Sequence, residues 1–162
     1  MEMWAILRVL LLLSAANAAP VLARDLLRNK LAIPIDGGAR FADGRPILGS
    51  SKTFRGVVAA AVATTLCAPL LGMGWDIGLR VGIAAMAGDL ASSFVKRRLN
   101  VPSGGRATGL DQLPESLLPL LACWRALSLS VLDAVVICAV FMLGEMAISP
   151  LLYRLRLRER PY

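Results

Sequence analysis

The stretch GDLASSFVKRRLNVPSGGRATGLD, residues 88–111, starts inside an apolar segment, crosses a cationic edge and a glycine-rich loop, and ends on a second acid. Asp89, Ser92, Ser93, Lys96 and Arg97 follow the spacing i, i+3, i+4, i+7, i+8, which predicts one face of a helix. A carboxylate, two hydroxyls and two cations on one face can hold a divalent metal and a polyphosphate together. An ionisable residue at membrane depth is costly and points by default to a functional site.

The surroundings of that stretch are apolar. Of the 162 residues, 57% are hydrophobic, and the mean hydropathy is +0.65. This is too apolar for a soluble domain of such length. The expected fold is an all-α integral membrane protein, a bundle of about five transmembrane helices with a cytoplasm-facing polar cavity, forming a single domain over residues 1–162. Polar borders mark off apolar segments at 4–23, 57–73, 77–94, 110–124 and 129–153. A span needs about 20 residues, within roughly 17–25. Segment 110–124 is short by that measure, and 77–94 is interrupted by Arg80 and Asp89. Pro69, Pro119 and Pro150 fall within segments, where bundle packing tolerates a kink. The run Ala16-Asn17-Ala18 has signal-peptide cleavage spacing. Glu2 ahead of the apolar core, Arg8 within it and the lack of a cationic start favour a retained helix instead.

Charge gives the orientation. Residues 24–56, the loop carrying Lys96, Arg97, Arg98 and Arg106, and the tail from Arg154 to Arg160 hold 15 of the 18 cations. Five spans place all three regions on one side. The positive-inside rule makes that side cytoplasmic, with the N-terminus outside and the C-terminus inside. Topology plus contact with anionic lipid is the plainest source of the net charge of +7, and no nucleic-acid partner is expected. Histidine is absent, which removes Ser-His-Asp and Cys-His catalysis and any imidazole base. Cys67, Cys123 and Cys138 lie in apolar stretches without metal-ligand spacing and read as small core residues.

The loop at 34–56, PIDGGARFADGRPILGSSKTFRG, is too polar and glycine-rich to cross a membrane. Glycines free the backbone to point N–H groups at an anion, and cations supply charge. Walker A spacing is missing. The cluster Ser50, Ser51, Lys52, Thr53 and Arg55, ending where the second segment begins, suggests phosphate contact. A solvated topology loop is the competing reading. Asp111, followed by Pro114 and Glu115, resembles a helix start with a capping acid. Capping does not explain why a glycine-rich loop joins it to the Asp89 face.

These blocks resemble the CDP-archaeol synthase family, within the phosphatidate cytidylyltransferase-like group. The resemblance runs from NAAP at 17–20 through PIDGG, DGRPILGSSKTFRG, GDLASSFVKRRLNVPSGG and LDQLPESLLP to the tail. The 49–56 and 88–98 blocks are its specific parts. It implies a five-helix membrane enzyme that transfers a cytidylyl group from CTP to a lipid phosphate, releasing pyrophosphate, with Mg²⁺. By the same resemblance Asp89 and Asp111 belong to the active site, with Ser92, Lys96 and Arg97 matching its Ser-x-x-x-Lys-Arg stripe. The chain departs from the pattern where an Asp should follow Leu-Asp-Gln-Leu and Pro114 and Glu115 stand instead. It departs again at Glu145 and Ser149, in place of a His and an Asn. These departures bear on the lipid, an archaeal-type ether lipid phosphate or a phosphatidate-like one, and a bacterial branch is one reading of them.

The chemistry fits the residues independently. A lipid phosphate monoester, with a second pKa of about 6, is mostly dianionic at neutral pH and needs no base. It needs charge neutralisation and in-line positioning. Asp89 and Asp111, with Glu115 as a third candidate, would hold Mg²⁺. Lys52, Arg55, Lys96 and Arg97 would bind phosphate oxygens. A rotation of about 100° per residue would aim Glu115 away from the site unless Pro114 distorts the first turn. A small transporter or non-enzymatic membrane component, with Asp89 as an ion site, is the alternative.

Overall fold

The computed structural model describes residues 3–105, 107 and 109–154, with side chains through Ile148. Five helices follow one another: α1 Met3–Leu27, α2 Phe54–Leu70, α3 Trp75–Arg98, α4 Gln112–Ala122 and α5 Val131–Arg154. The described residues contain no strand, only isolated bridges between Pro34 and Thr53 and between Arg40 and Pro46. Among the described residues, three helices are long and apolar enough to cross a membrane: Met3–Leu27, Trp75–Arg98 and Val131–Ile148. The apolar α2 has 17 residues, at the lower limit for a span. α4 has 11 and rises only about 16 Å, shorter than the segment expected at 110–124.

Element boundaries follow local chemistry. α2 begins at Phe54, not Val57, because the extended Thr53 ends the preceding loop and Arg55 fits the exposed first turn. It stops at Leu70 rather than Met73, with Pro69 in its last turn and Gly72 at φ +71° in the tight connection to α3. Only glycine adopts that conformation without strain. Arg80 pairs with Asp76 one turn away at 3.3 Å, leaving Asp89 to other partners.

In lipid there is little hydrophobic drive between helices, so close approach of small residues holds a bundle together. α3 meets α2 in that way. A Cβ at Gly78 would fall 2.3 Å from the Thr64 carbonyl oxygen, and one at Gly82 would fall 2.9 Å from the Ala61 Cα. The facing Ala60, Thr64 and Ala68 are fully buried. Towards the other end of the bundle, Leu12 and Leu13 of α1, Val81 of α3, Leu120 of α4 and Ile137 and Phe141 of α5 form the main apolar core. Cys123 is buried in that core, and all three cysteines are free.

The long loop between α1 and α2 is pinned to the end of α3. The Arg98 guanidinium lies 4.9 Å from the Phe41 ring centre and 5.0 Å from that of Phe94. It donates to Asp43 at 2.8 Å and to the Pro46 carbonyl at 2.5 Å, while Arg45 donates back to the Arg98 carbonyl. Cation, aromatic faces and helix C-terminus thus hold one loop tip.

Candidate active site

A cavity of about 550 Å³ opens at one end of the bundle, lined by α1, the α1–α2 loop, the start of α2, α3, the 103–105 loop, the start of α4 and Glu145 of α5. Its floor depends on Gly88. A Cβ there would lie 2.2 Å from the Pro114 carbonyl oxygen and 2.8 Å from the Glu115 nitrogen. Only glycine lets α3 and the first turn of α4 touch backbone to backbone, and this contact brings Asp89 beside Glu115.

Asp89 is held from across the chain. Lys52 Nζ donates to both of its carboxylate oxygens, at 2.5 and 2.6 Å, and each side chain is about one-fifth exposed, at 19% and 18%. Glu115, 9% exposed, lies beside Asp89 and Asn17 of α1. Two carboxylates so close repel unless a cation or a proton lies between them. Helix rotation does not turn Glu115 away from the cavity, which it lines together with Asp89. Helix α4 begins at Gln112, and Gln112, Glu115, Ser116, Pro119 and Leu120 form its buried face. Asp111 sits one turn before Glu115 and shares that side.

Asp111 does not cap α4. Its backbone is helical and its side chain makes no cap hydrogen bond. One oxygen accepts from Ala107 N at 3.0 Å. The other is paired with Lys96 Nζ at 2.6 Å. Lys96, 6% exposed, also donates to the Gly105 carbonyl at 3.2 Å, and Gly109 N donates to Gln112 at 2.8 Å. These bonds fold the glycine-rich loop over the end of α3.

The anion-binding groups come from two loops that touch. Ser51 N donates to Ser103 Oγ at 3.3 Å, and the two hydroxyls are 3.2 Å apart. Beneath them Arg97 is 4% exposed, and its Nε and Nη1 have no hydrogen-bond partner, like the Ser93 hydroxyl. Unpaired donors buried in a polar cavity are costly and suit an incoming anion. Asp36 shapes the approach: its carboxylate accepts from Gly38 N, Leu48 N and Gly49 N at 3.0, 2.9 and 2.8 Å. Slight burial raises its pKa, but the N–H bonds from Gly49, Leu48 and Gly38 outweigh that and hold it below the usual carboxylate value.

Of the residues expected from sequence, Ser50, Ser51, Lys52, Thr53, Arg55, Asp89, Lys96, Arg97, Asp111 and Glu115 all line the cavity. Ser92 does not: its hydroxyl donates to the Asp89 carbonyl at 2.9 Å within the helix, and Ser93 faces the cavity instead. One Arg55 nitrogen is committed to the carbonyls of Arg28 and Lys30, both at 2.6 Å. The three acids are not gathered into one cluster. No group of three or more His, Cys, Asp or Glu among the described residues stands ready to hold a metal. Asn17, Pro20, Val21 and Arg24 of α1 also line the cavity. Their i, i+3, i+4, i+7 spacing was the available signal, masked by the apolar run around them. Ser149 and Arg106 lie outside the described residues or side chains.

The model of the CarS-like family, described as CDP-archaeol synthase, matches residues 5–77 and 74–162. The CDP-archaeol synthase of Pyrobaculum calidifontis is 39% identical over 155 residues, covering 91% of this chain and 90% of that protein. That of Sulfurisphaera tokodaii is 34% identical over 165 residues, covering 98% and 95%. A solved structure, of an intramembrane enzyme for archaeal membrane lipids biosynthesis, superposes with a TM-score of 0.75 at 32% identity, covering 86% of this chain and 89% of that one. On sequence and on fold alike, the chain belongs to the CDP-archaeol synthase family.

Proposed function

We infer that the chain joins CTP and a lipid phosphate in the membrane, forming a CDP-activated lipid and releasing pyrophosphate. The enzyme is a CTP-dependent cytidylyltransferase of a membrane lipid phosphate. The observation that carries the reading is a polar cavity in which buried, unpartnered Arg97 and Ser93 donors face two loops with anion-binding chemistry. A phosphate oxygen of the lipid attacks the α-phosphorus of CTP, and the bond from that phosphorus to the bridging oxygen breaks as pyrophosphate leaves. No base is needed, which accounts for function without histidine. Lys52, Lys96 and Arg97 offset phosphate charge, and the Ser50–Thr53 and Ser103–Gly105 loops orient the triphosphate.

The donor set fits Mg²⁺, an oxygen-seeking cation that uses few protein carboxylates and completes its shell with phosphate oxygens and water. Asp89 and Glu115 would hold it, with Asp111, paired to Lys96, as the further acid of the cavity. The ion would offset charge building on the phosphates. The lipid is an archaeal-type ether lipid phosphate or a phosphatidate-like one. Turnover of labelled CTP by purified protein, with Mg²⁺ and a panel of lipid phosphates, tests the reading. Lack of CDP-lipid with every lipid phosphate would overturn it. The transporter alternative has little support, because fully buried Leu12, Leu13, Leu120 and Ile137 fill the bundle beyond the cavity.

Two expectations accompany this function. The first is an outside N-terminus and a cytoplasmic C-terminus, with residues 1–162 acting as one membrane-embedded unit. It is supported by the cationic ends of α1, α2 and α3 meeting around one cavity. Reporter fusions after Tyr162 and in the Gly72–Gly74 turn should report cytoplasm and exterior respectively. The same signal from both would reject it. The second concerns Glu115→Gln. It should lower turnover about tenfold and weaken the Mg²⁺ dependence, since a hydrogen bond to a charged group is worth roughly 1.5–3 kcal/mol. A normal Mg²⁺ titration curve would reduce Glu115 to a packing residue.

A further inference from the structure

We propose that Lys52 is the exchange partner of the divalent cation at Asp89: the acid is released to the cation when nucleotide phosphates take over the ammonium. The inference rests on the cytidylyltransferase reading of this cavity and concerns how its two charged ligands are coupled.

The geometry carries it in three steps. First, Lys52 covers both oxygens through which Asp89 could ligate a cation, at 2.5 and 2.6 Å. An ammonium and a divalent cation cannot share that carboxylate closely without like-charge repulsion. Second, withdrawing the ammonium with nothing in its place would leave Asp89 facing Glu115, carboxylate against carboxylate. The departure of Lys52 and the arrival of a cation therefore favour each other. Third, the ammonium has somewhere to go. It rides on a flexible four-carbon stem, while its backbone is held by the bond from Ile35 N to the Lys52 carbonyl at 2.9 Å and by the adjoining Pro34–Thr53 bridge. Ser50, Ser51 and the unpartnered Arg97 donors line the same cavity, so a polyphosphate seated there can draw the ammonium away.

Lys96 and Asp111 form a second pair, but of a different kind. Lys96 is buried within α3 and also bonded to the Gly105 carbonyl, so it is tied to its place and Lys52 is the mobile member. Nucleotide and cation should consequently tighten each other's binding, and by linkage to the same extent.

The test is equilibrium binding of Mn²⁺ to the full-length purified protein, read by electron paramagnetic resonance with no nucleotide present. Lys52→Met should bind Mn²⁺ at least tenfold more tightly than the unaltered protein, and adding Asp89→Asn to it should abolish the gain. In equilibrium dialysis, Mn²⁺ should tighten CTP binding at least tenfold in the unaltered protein and by less than threefold in Lys52→Met. The two effects have opposite signs, since the variant gains bare metal affinity while losing nucleotide coupling. Mn²⁺ binding to Lys52→Met no tighter than to the unaltered protein overturns the exchange. Should Lys52→Met fail to fold, Lys52→Gln is read the same way. CDP-lipid formation by the unaltered protein, assayed alongside, separates the two failures: turnover without the Mn²⁺ gain removes the exchange alone, and the Mn²⁺ gain without turnover removes the cytidylyltransferase reading alone.

Discussion

Asp89→Asn should lower CDP-lipid formation by about a hundredfold or more, because charge stabilisation by a bound metal is worth several kcal/mol in the transition state. The amide keeps the shape of the side chain but loses the charge that attracts both Lys52 and a divalent cation. The protein should still fold. The side chain is partly accessible, its ion pair is local to the cavity, and the small-residue seam between α2 and α3 lies elsewhere. Turnover and thermal unfolding in the same preparation check the two halves of this expectation. An Asn variant that works at the original rate would remove Asp89 from the metal site. An inactive variant that has also unfolded would make the residue structural.

Gly88→Ala is the second large effect, and it acts through the backbone. The new methyl group would meet the Pro114 carbonyl oxygen at 2.2 Å and its carbon at 2.5 Å. Neither atom can swing aside as a side-chain tip could, so α4 must shift. Overpacking of this sort costs about 1–3 kcal/mol, occasionally more. The shift also moves Glu115 off Asp89, and a misplacement of about 1 Å at a reacting centre can cost about a hundredfold in rate. Gly88→Ala should therefore lower both the unfolding temperature and the activity. Gly144→Ala is the control, since a Cβ there meets nothing within 4 Å and the substitution should change neither. A Gly88→Ala protein as stable and active as the parent would mean that the two helices do not touch there.

The helices were legible in the sequence because their signals are local. Apolar length separates 3–27, 75–98 and 131–154 from the loops, and 3.6-residue periodicity puts Asp89, Lys96 and Arg97 on one side of α3. Spacing was less decisive between adjacent residues. Ser92 and Ser93 both fit the stripe, and only packing shows that Ser92 bonds back into its own helix while Ser93 meets the cavity. For Glu115 the rotation was reckoned from the missing acid at Pro114, whereas the informative reference was Asp111, one turn earlier. Contacts between distant parts of the chain left no local trace. Nothing in the segment between Lys52 and Asp89, 37 positions apart, announces their pairing, nor does any pattern reveal that Arg98 clamps Phe41, Asp43 and Pro46. The Asp111 carboxylate looked like a cap because its neighbours are those of a helix start. The competing demand, an ion pair with Lys96, comes from another helix.

The shortness of α4 has a consequence for the lipids around the protein. An apolar helix of 11 residues covers about half of a hydrocarbon layer roughly 30 Å thick. Exposed Leu113 and Leu121 offer the acyl chains only that brief stretch to match. Where a hydrophobic surface is shorter than the bilayer, lipid thins against it at a modest cost per ångström. Thinning beside α4 would lower the headgroup plane locally, on the same side as Asp111 and the cavity mouth. A phosphate-headed lipid in that dip need not be lifted far out of its leaflet to reach the nucleotide.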